Sequence, residues 1–600
     1  MARGAGWGLC LCMLAFACGD DKSDDASPTS GDPSGDPGGT PPGPSTSDPS
    51  GDPSGDPSGE PTTSTSGDPT GDPTGSPTSS PTSSPTSDPT GDPTGDPSGE
   101  TTEPPPATCT PAGGSDTVSA PELLVVLKDR YQEAWLGSAA VADLDGDGTS
   151  EIVVPRGNLM IAWHPDGTIV FNYAAGEDRI WASPVVADIT GDAKLEVAFA
   201  ARDKVYVLDA TGAIAPGFPV TWVDELRTIA AADIDGDGAL EIVVAPADSG
   251  DAGDVMYAWN GDGSVVAGFP PNATGTSGCA TDDKCYIAGC YDQNLALGDL
   301  DGDGHADIVV PHDNAYTSIH KGSGEAFDAA DIYPVAKTPG VRYLHDLASA
   351  MQGYADDEET ALQAHFTNTP PAIADLDGDG TREVILLASV QNAAQTDREK
   401  GVAVWVVGHD GARRPGFDPP VHFPDYLSGL WDYGDNIVAI SNQASVADIS
   451  ADHPGLEIVF PGFDGAIHAV SAAGEVLWST PYTADPAVAT GGVAIGDLSA
   501  DGAPEVVFNT FSTDSDKGQL VILSAQGQQL HAVPLPRRGA MPVPTLADVD
   551  DDGAVDIVVS LKDAEDKVES VQVYRVAGSS PTCLLWPTGR GNLLRSGLVL

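Results

Sequence analysis

One short phrase recurs eight times along this chain and constrains its fold more than any other feature. In its fullest form it reads Ala-Asp-Leu-Asp-Gly-Asp-Gly-x-x-Glu-Ile-Val-Val. Aligned on the first Asp of the loop, it begins at Asp143, Asp188, Asp233, Asp299, Asp375, Asp448, Asp497 and Asp548. The first two intervals are 45 residues each, the last two are close to that, and the middle three are longer. A unit this short cannot bury an apolar face alone, so successive units must stack on one another. The second unit parses into four strands, at 183–186, 195–200, 204–208 and 213–220, with a turn at Ala210-Thr211-Gly212. Four short strands per unit make one blade. The pattern therefore predicts an all-β fold, a β-propeller of about eight four-stranded blades, with seven as the alternative. The longer middle units place insertions at 272–294, 316–370 and 413–442. Pro-Gly-Phe-Pro at 216–219 recurs as Gly-Phe-Pro at 268–270 and as Gly-Phe-Asp at 416–418, so Phe218, Phe269 and Phe417 are read as packing residues.

The loop itself carries the chemistry. Calcium takes six to eight oxygen ligands in a flexible geometry. Asp at positions 1, 3 and 5 turns three carboxylates around one centre. Gly at position 6 permits the turn, position 7 offers a backbone carbonyl, and an acid at position 9 closes the shell. Five loops have the full pattern: Asp143, Asp145, Asp147, Thr149 and Glu151; Asp233, Asp235, Asp237, Ala239 and Glu241; Asp299, Asp301, Asp303, His305 and Asp307; Asp375, Asp377, Asp379, Thr381 and Glu383; and Asp548, Asp550, Asp552, Ala554 and Asp556. Three are degenerate: Asp188, Thr190, Asp192 and Glu196; Asp448, Ser450, Asp452 and Glu457, with one extra residue before the Glu; and Asp497, Ser499, Asp501 and Glu505. Hydroxyls are weaker ligands than carboxylates, so lower occupancy is expected at these three. The expected cofactor is Ca2+ at several structural sites.

Two other calcium modules share this spelling. An EF-hand requires flanking helices and a Glu at position 12, where this chain has Val154, Val244, Val310, Leu386 or Val559 inside strand-like runs. A dockerin also needs a following helix. An Asp-Gly turn without metal would leave four acids repelling one another in one short loop.

Charge narrows the partners. Ninety acidic and 27 basic residues give a formal net charge of -63. That argues against nucleic acid as a partner and disfavours adsorption to anionic lipid headgroups.

The Asp loops flanked by β runs resemble the FG-GAP or VCBS repeat family, whose best-known members form the propeller head of integrin α subunits. The resemblance covers about 138–560. Trp586-Pro587-Thr588-Gly589-Arg590-Gly591-Asn592, with Arg595 and Gly597, also looks like the tail of many bacterial members. The family includes adhesion modules, lectin-like proteins and appendages of enzymes, so the resemblance implies the fold more than an activity.

The first 18 residues read as an export signal: a positive charge at Arg3, an apolar run at 9–17, then Ala15-Phe16-Ala17-Cys18 followed by Gly19-Asp20-Asp21. This resembles a bacterial lipobox and implies lipidation at Cys18, with an ordinary signal peptide as the alternative. Residues 19–108 are rich in Gly, Asp, Pro, Ser and Thr with no aromatic residue, a composition that predicts a disordered acidic tether. The propeller then occupies 109–600.

Export permits disulfides. A propeller must join its last blade to its first or leave exposed edges. The strand at 122–127 completes the eighth blade if it runs antiparallel to 570–576, which brings Cys109 and Cys583 to one rim and predicts a disulfide between them. Cys279, Cys285 and Cys290 lie in the first insertion. They are read as a small disulfide-closed loop rather than a zinc site, for want of a nearby His. The second insertion predicts a helix near 341–352 and an acidic run at 356–359. The third is rich in aromatic residues: His422, Phe423, Tyr426, Trp431 and Tyr433.

The leading expectation is a monomeric, calcium-stabilised binding or adhesion module that takes an extracellular glycan or protein. It is expected in the outer membrane or on the bacterial cell surface, held there only by an N-terminal lipid; a secreted form is the alternative. The rival is a polysaccharide-degrading propeller, a lyase or hydrolase. No nucleophile elbow, HExxH pair or phosphate loop appears. A quinone-cofactor propeller dehydrogenase is a third possibility, disfavoured because this chain has no adjacent-cysteine pair.

Overall fold

A computed structural model describes residues 108–129, 133–176, 179–222, 225–247, 256–271, 290, 293–313, 315–327, 344, 361–392, 396–429, 442–514, 516–565 and 569–599. The described chain is all-β: eight blades succeed one another in sequence order, and no α-helix occurs among the described residues. The expected helix near 341–352 lies outside them apart from Leu344, which is buried. The tether, Cys18, Cys279, Cys285, Trp431 and Tyr433 also lie outside.

Each blade begins with a three-residue inner strand: Ala140–Ala142, Val185–Ala187, Ala230–Ala232, Ala296–Gly298, Ala372–Ala374, Ser445–Ala447, Ala494–Gly496 and Thr545–Ala547. Small residues dominate because the strands crowd towards one axis. A Cβ added at Gly298 would stand 2.8 Å from Leu598 and 3.1 Å from Ile373 of the next blade. The inner strand of the first blade lies against those of both the second and the eighth, so the ring is closed.

Closure comes from both ends of the chain. The N-terminal strand Glu122–Lys128 pairs antiparallel with Glu569–Val576, in a register that sets Glu122 opposite Arg575 and Lys128 opposite Glu569. It is the outermost strand of the eighth blade. Cys109 is bonded to Cys583. The third and fourth blades have three strands, with the fourth reduced to the single bridges Trp259–Val265 and His320–Ala326. In the second blade the outer strand is confined to Val220–Thr221, with a bridge at Leu208–Ile214, rather than spanning 213–220. Phe218, Phe269 and Phe417 are buried between blades, and the bonds Phe218–Pro219, Phe269–Pro270 and Asp418–Pro419 are cis.

The chain then returns to the axis. An inner strand presents one unpaired edge to the central channel, and buried backbone groups require partners. Residues 583–599 supply them. Amides of Val186, Ala231, Leu297, Ile373, Ile495 and Leu546 donate to carbonyls of Leu593, Leu594, Ser596, Gly597, Trp586 and Pro587 at 2.8–3.0 Å. Ala139 in the first blade accepts from Arg595, and Gln443 in the sixth accepts from the Arg590 amide. One short segment thus contacts all eight blades.

Candidate metal loops and the opposite face

The acid loops connect the first strand of each blade to the second, and strand pairing places their final acid. Ala142 pairs with Glu151, Ala187 with Glu196, Ala232 with Glu241, Gly298 with Asp307, Ala374 with Glu383, Ala447 with Glu457, Gly496 with Glu505 and Ala547 with Asp556. The position-9 acid is therefore held rigidly beneath the loop by the sheet itself. All eight position-9 acids are buried.

Within the loop the backbone organises the carboxylates. In the first, Asp143 accepts from the amides of Gly146 and Gly148 at 2.8 Å, Asp145 from Asp147 at 3.1 Å, and Asp147 from Thr149 at 2.8 Å. One oxygen of Glu151 accepts from the Leu144 amide at 2.8 Å. The last bond is repeated in every loop, to Ile189, Ile234, Leu300, Leu376, Ile449, Leu498 and Val549. The turn requires a positive φ at position 6, which Gly148, Gly238, Gly304 and Gly380 supply at 88–90°. Where the second loop lacks the glycine, Ala193 adopts φ 65°, a conformation unfavourable for a residue with a Cβ.

Carboxylate oxygens come within 4.8 Å of one another in five clusters: Asp143, Asp145 and Glu151; Asp233, Asp235 and Glu241; Asp299, Asp301 and Asp303; Asp375, Asp377 and Glu383; and Asp548, Asp550 and Asp556. These are the five loops with the full sequence pattern. Asp147, Asp237, Asp379 and Asp552 stand outside the tight groups, as does Asp307. The three degenerate loops form no such cluster among the described residues.

The electrostatics point to a missing counter-charge. Asp307 Oδ1 and Glu457 Oε1 are buried without a hydrogen-bond partner among the described residues, a costly state for an ionised oxygen. Burial, then the neighbouring aspartates, push Glu241 and Asp307 up to about 7 against the opposing amide bond. Glu457 rises to about 7 and Glu505 to about 8, again chiefly through burial. Hard oxygen donors converging on a point, with buried oxygens unpaired, fit a divalent cation such as calcium.

The seventh loop has a feature that sequence reasoning missed. Residues 112–115 lie across it: the amides of Ala112 and Gly114 donate to Ala500 O at 3.0 and 2.9 Å, and that of Ser115 donates to Ser499 O at 3.3 Å. Asp497 and Ser499 are buried there, unlike the first and third loop residues of the full-pattern loops. Nothing in the spacing of the repeat signals this cover, because it arrives from the far end of the chain.

The loops joining successive blades leave the opposite end of the inner strands, so they form the other face. Lys562 Nζ lies 3.2 Å from the Trp135 ring centroid, and Arg179 4.1 Å from Trp135 and 5.3 Å from Trp181. Arg227 lies 4.2 Å from Trp181. These alternating cations and rings run from the eighth blade to the third. Trp181 Nε1 donates to Glu225 at 2.6 Å, and Arg227 pairs with the same carboxylate at 2.8 Å. Arg179 has no described carboxylate within ion-pair distance. In the third insertion, Phe423 packs on Phe460 and His468, and His422 bonds Lys400 O at 2.8 Å, so these aromatic residues serve packing. Cys290 is buried, with Sγ 2.7 Å from Asn294 O.

A closed ring of eight blades, each turning through an aspartate-bearing hairpin loop, defines the class: an all-β propeller with repeated acidic loops. Residues 233–310, spanning the third and fourth loops, match the FG-GAP-like repeat family. No curated protein matches it. Among solved structures it is similar to the V. cholerae biofilm matrix protein Bap1, with 14% identity and TM-score 0.45 over 79% of this chain and 96% of that one. The exotype rhamnogalacturonan lyase YesX has 15% identity and TM-score 0.43 over 80% of each chain. The quinohemoprotein alcohol dehydrogenase of Comamonas testosteroni has 12% identity and TM-score 0.45 over 79% of this chain and 78% of that one.

Proposed function

We propose that this protein is an exported, calcium-stabilised binding or adhesion propeller, held at a bacterial surface by a lipid on Cys18 and lifted from it by the 19–108 tether. The observation that carries this reading is the convergence of loop carboxylates into five tight clusters, one in each loop of full pattern. Calcium neutralises and stiffens one hairpin per loop, and the ring then presents the opposite face as a rigid platform. The ligand is an extracellular glycan or protein. The Trp135–Arg179–Trp181 stack on that face suits a ligand carrying an anionic group, because Arg179 has no described carboxylate partner.

The test is a glycan array probed with the calcium-loaded full chain, followed by product analysis on any glycan retained. Retention without new reducing or unsaturated ends supports a binding module. New ends would replace that reading with a polysaccharide-degrading enzyme.

A further inference from the structure

The sheet register defines one position per blade that faces the position-9 acid from the third strand. Asp556 pairs directly with Arg575. Continuing the registers of the other blades by one residue sets Glu151 opposite His164, Glu241 opposite Asn260, Asp307 opposite Lys321 and Glu383 opposite Gly408. This position is fixed by backbone pairing and is independent of the loop's own spelling.

What stands there differs sharply among the five full loops. In the eighth, the Arg575 guanidinium engages three of the four acids: Nη2 to Asp550 at 2.5 Å, Nη1 to Asp552 at 2.5 Å and Nε to Asp556 at 3.3 Å. In the fourth, Lys321 bonds Asp301 and lies 3.5 Å from Asp303, while Arg382 Nη1 is 3.9 Å from Asp299. In the fifth, Gly408 contributes nothing, and Arg414 Nε from the following turn lies 3.1 Å from Glu383. In the first, His164 Nδ1 is 3.0 Å from Glu151. The third loop is faced by Asn260, whose side chain turns to Ser264 at 2.9 Å. The His305 ring of the next blade lies against Gly236 of that loop, and no Lys or Arg among the described residues pairs with its acids.

A guanidinium directs several donors in one plane and binds carboxylates through charge-assisted bonds. On Asp550, Asp552 and Asp556 it takes the oxygens an ion would need and supplies part of the missing charge. We propose that the cationic side chain paired with a loop's acids, supplied chiefly from the position facing the position-9 acid, sets that loop's demand for calcium: Arg575 neutralises the eighth loop from within, while the third loop, faced by Asn260, binds its ion most tightly. The first, fourth and fifth loops fall between. Five loops of nearly one spelling thus become a graded series, in which the eighth blade, where the ring closes, is held without metal.

This inference rests on the reading that the loops bind calcium, and the experiment separates the two. Metal-stripped full-length protein is titrated with Ca2+ by calorimetry. Arg575→Gln should raise the uptake by about one ion per chain, as its loop becomes a vacant acid cluster. In the wild-type background, Asp235→Asn should abolish the tightest phase, and Asp550→Asn should leave the isotherm unchanged. Unaltered uptake in Arg575→Gln, or loss of a site in Asp550→Asn, overturns the proposal while leaving calcium binding intact. Should Arg575→Gln fail to fold, the two Asp→Asn variants still decide it. A wild-type protein that takes up no calcium overturns both the proposal and the reading beneath it.

Discussion

The axis and the rim of this propeller solve opposite problems of buried charge. At the axis, Arg590 and Arg595 are fully buried without a carboxylate partner among the described residues. Most of their donors meet fixed carbonyl oxygens instead, and Arg590 Nη1 is left without a described partner. Arg595 bonds Ala139, Pro184 and Gly589 carbonyls and the Thr588 hydroxyl at 2.8–2.9 Å; Arg590 Nη2 bonds Leu295 and Pro371 carbonyls at 2.6 Å. Burial pushes both guanidinium groups down to about 9, still high enough to keep them charged at neutral pH. At the rim, the loops gather carboxylates, and their organising amides leave Asp307 Oδ1 and Glu457 Oε1 unpaired among the described residues. Carbonyl dipoles pointing inwards from four blades can settle a cation without any ion from solution. Clustered anions on a tight turn have only a few amides to draw on, so they need an external cation or, at the eighth loop, an arginine.

Removing metal should have the largest effect, and it should act on the rim alone. Each site filled at a hundredfold excess over its dissociation constant contributes about 2.7 kcal/mol, so several sites together outweigh any one substitution. Chelation should lower the melting temperature. Calcium should restore it and magnesium should do so poorly, because magnesium sheds its waters reluctantly. A melting curve indifferent to chelation would dissolve the contrast between the two regions.

The axis is probed next by Arg595→Met. It strands the carbonyls of Pro184 and Gly589, and a loss of about 3–5 kcal/mol is expected from urea denaturation. The loss should be equal with and without calcium. A loss seen only in calcium would mean that axis and rim are coupled.

The smallest effect is a dependence on pH. The position-9 acids have folded pKa values raised above their unfolded ones, to about 7 for Glu241, Asp307 and Glu457 and about 8 for Glu505. A raised carboxyl holds its proton in the folded state after the unfolded chain has lost its own. Its stabilising contribution is therefore complete below about pH 4 and is lost as pH rises to about 8. Metal-free protein should melt at lower temperature at pH 8 than at pH 5. Calcium should flatten or invert that trend, since it takes the place of the proton. A metal-free melting temperature that climbs between pH 5 and 8 would contradict the buried, unpaired state of these acids.

Much of this was legible in the repeat. The period and the alternation of β runs with turns fixed the blade, and the spacing of Asp143, Asp145 and Glu151 marked a loop whose carboxylates do converge, while Asp147 stands outside the group. The strand at 122–127 was readable as the missing partner of the eighth blade because a ring tolerates no open edge. The outer strands were less legible. Those of the third and fourth blades shrink to single bridges, since pairing at a blade's outer edge depends on neighbours that local alternation does not reveal.

The sequence by itself determined which segments turn and which extend, because period, glycine placement and clustered acids act over a few residues. Tertiary structure alone decided how those acids are partnered. Arg575 meets Asp556 only through the register of two strands, residues 112–115 reach the seventh loop from the other end of the chain, and residues 583–599 find all eight blades only once the ring exists. Contacts of that kind are set by the closed geometry of the sheet, which no window of neighbouring residues contains.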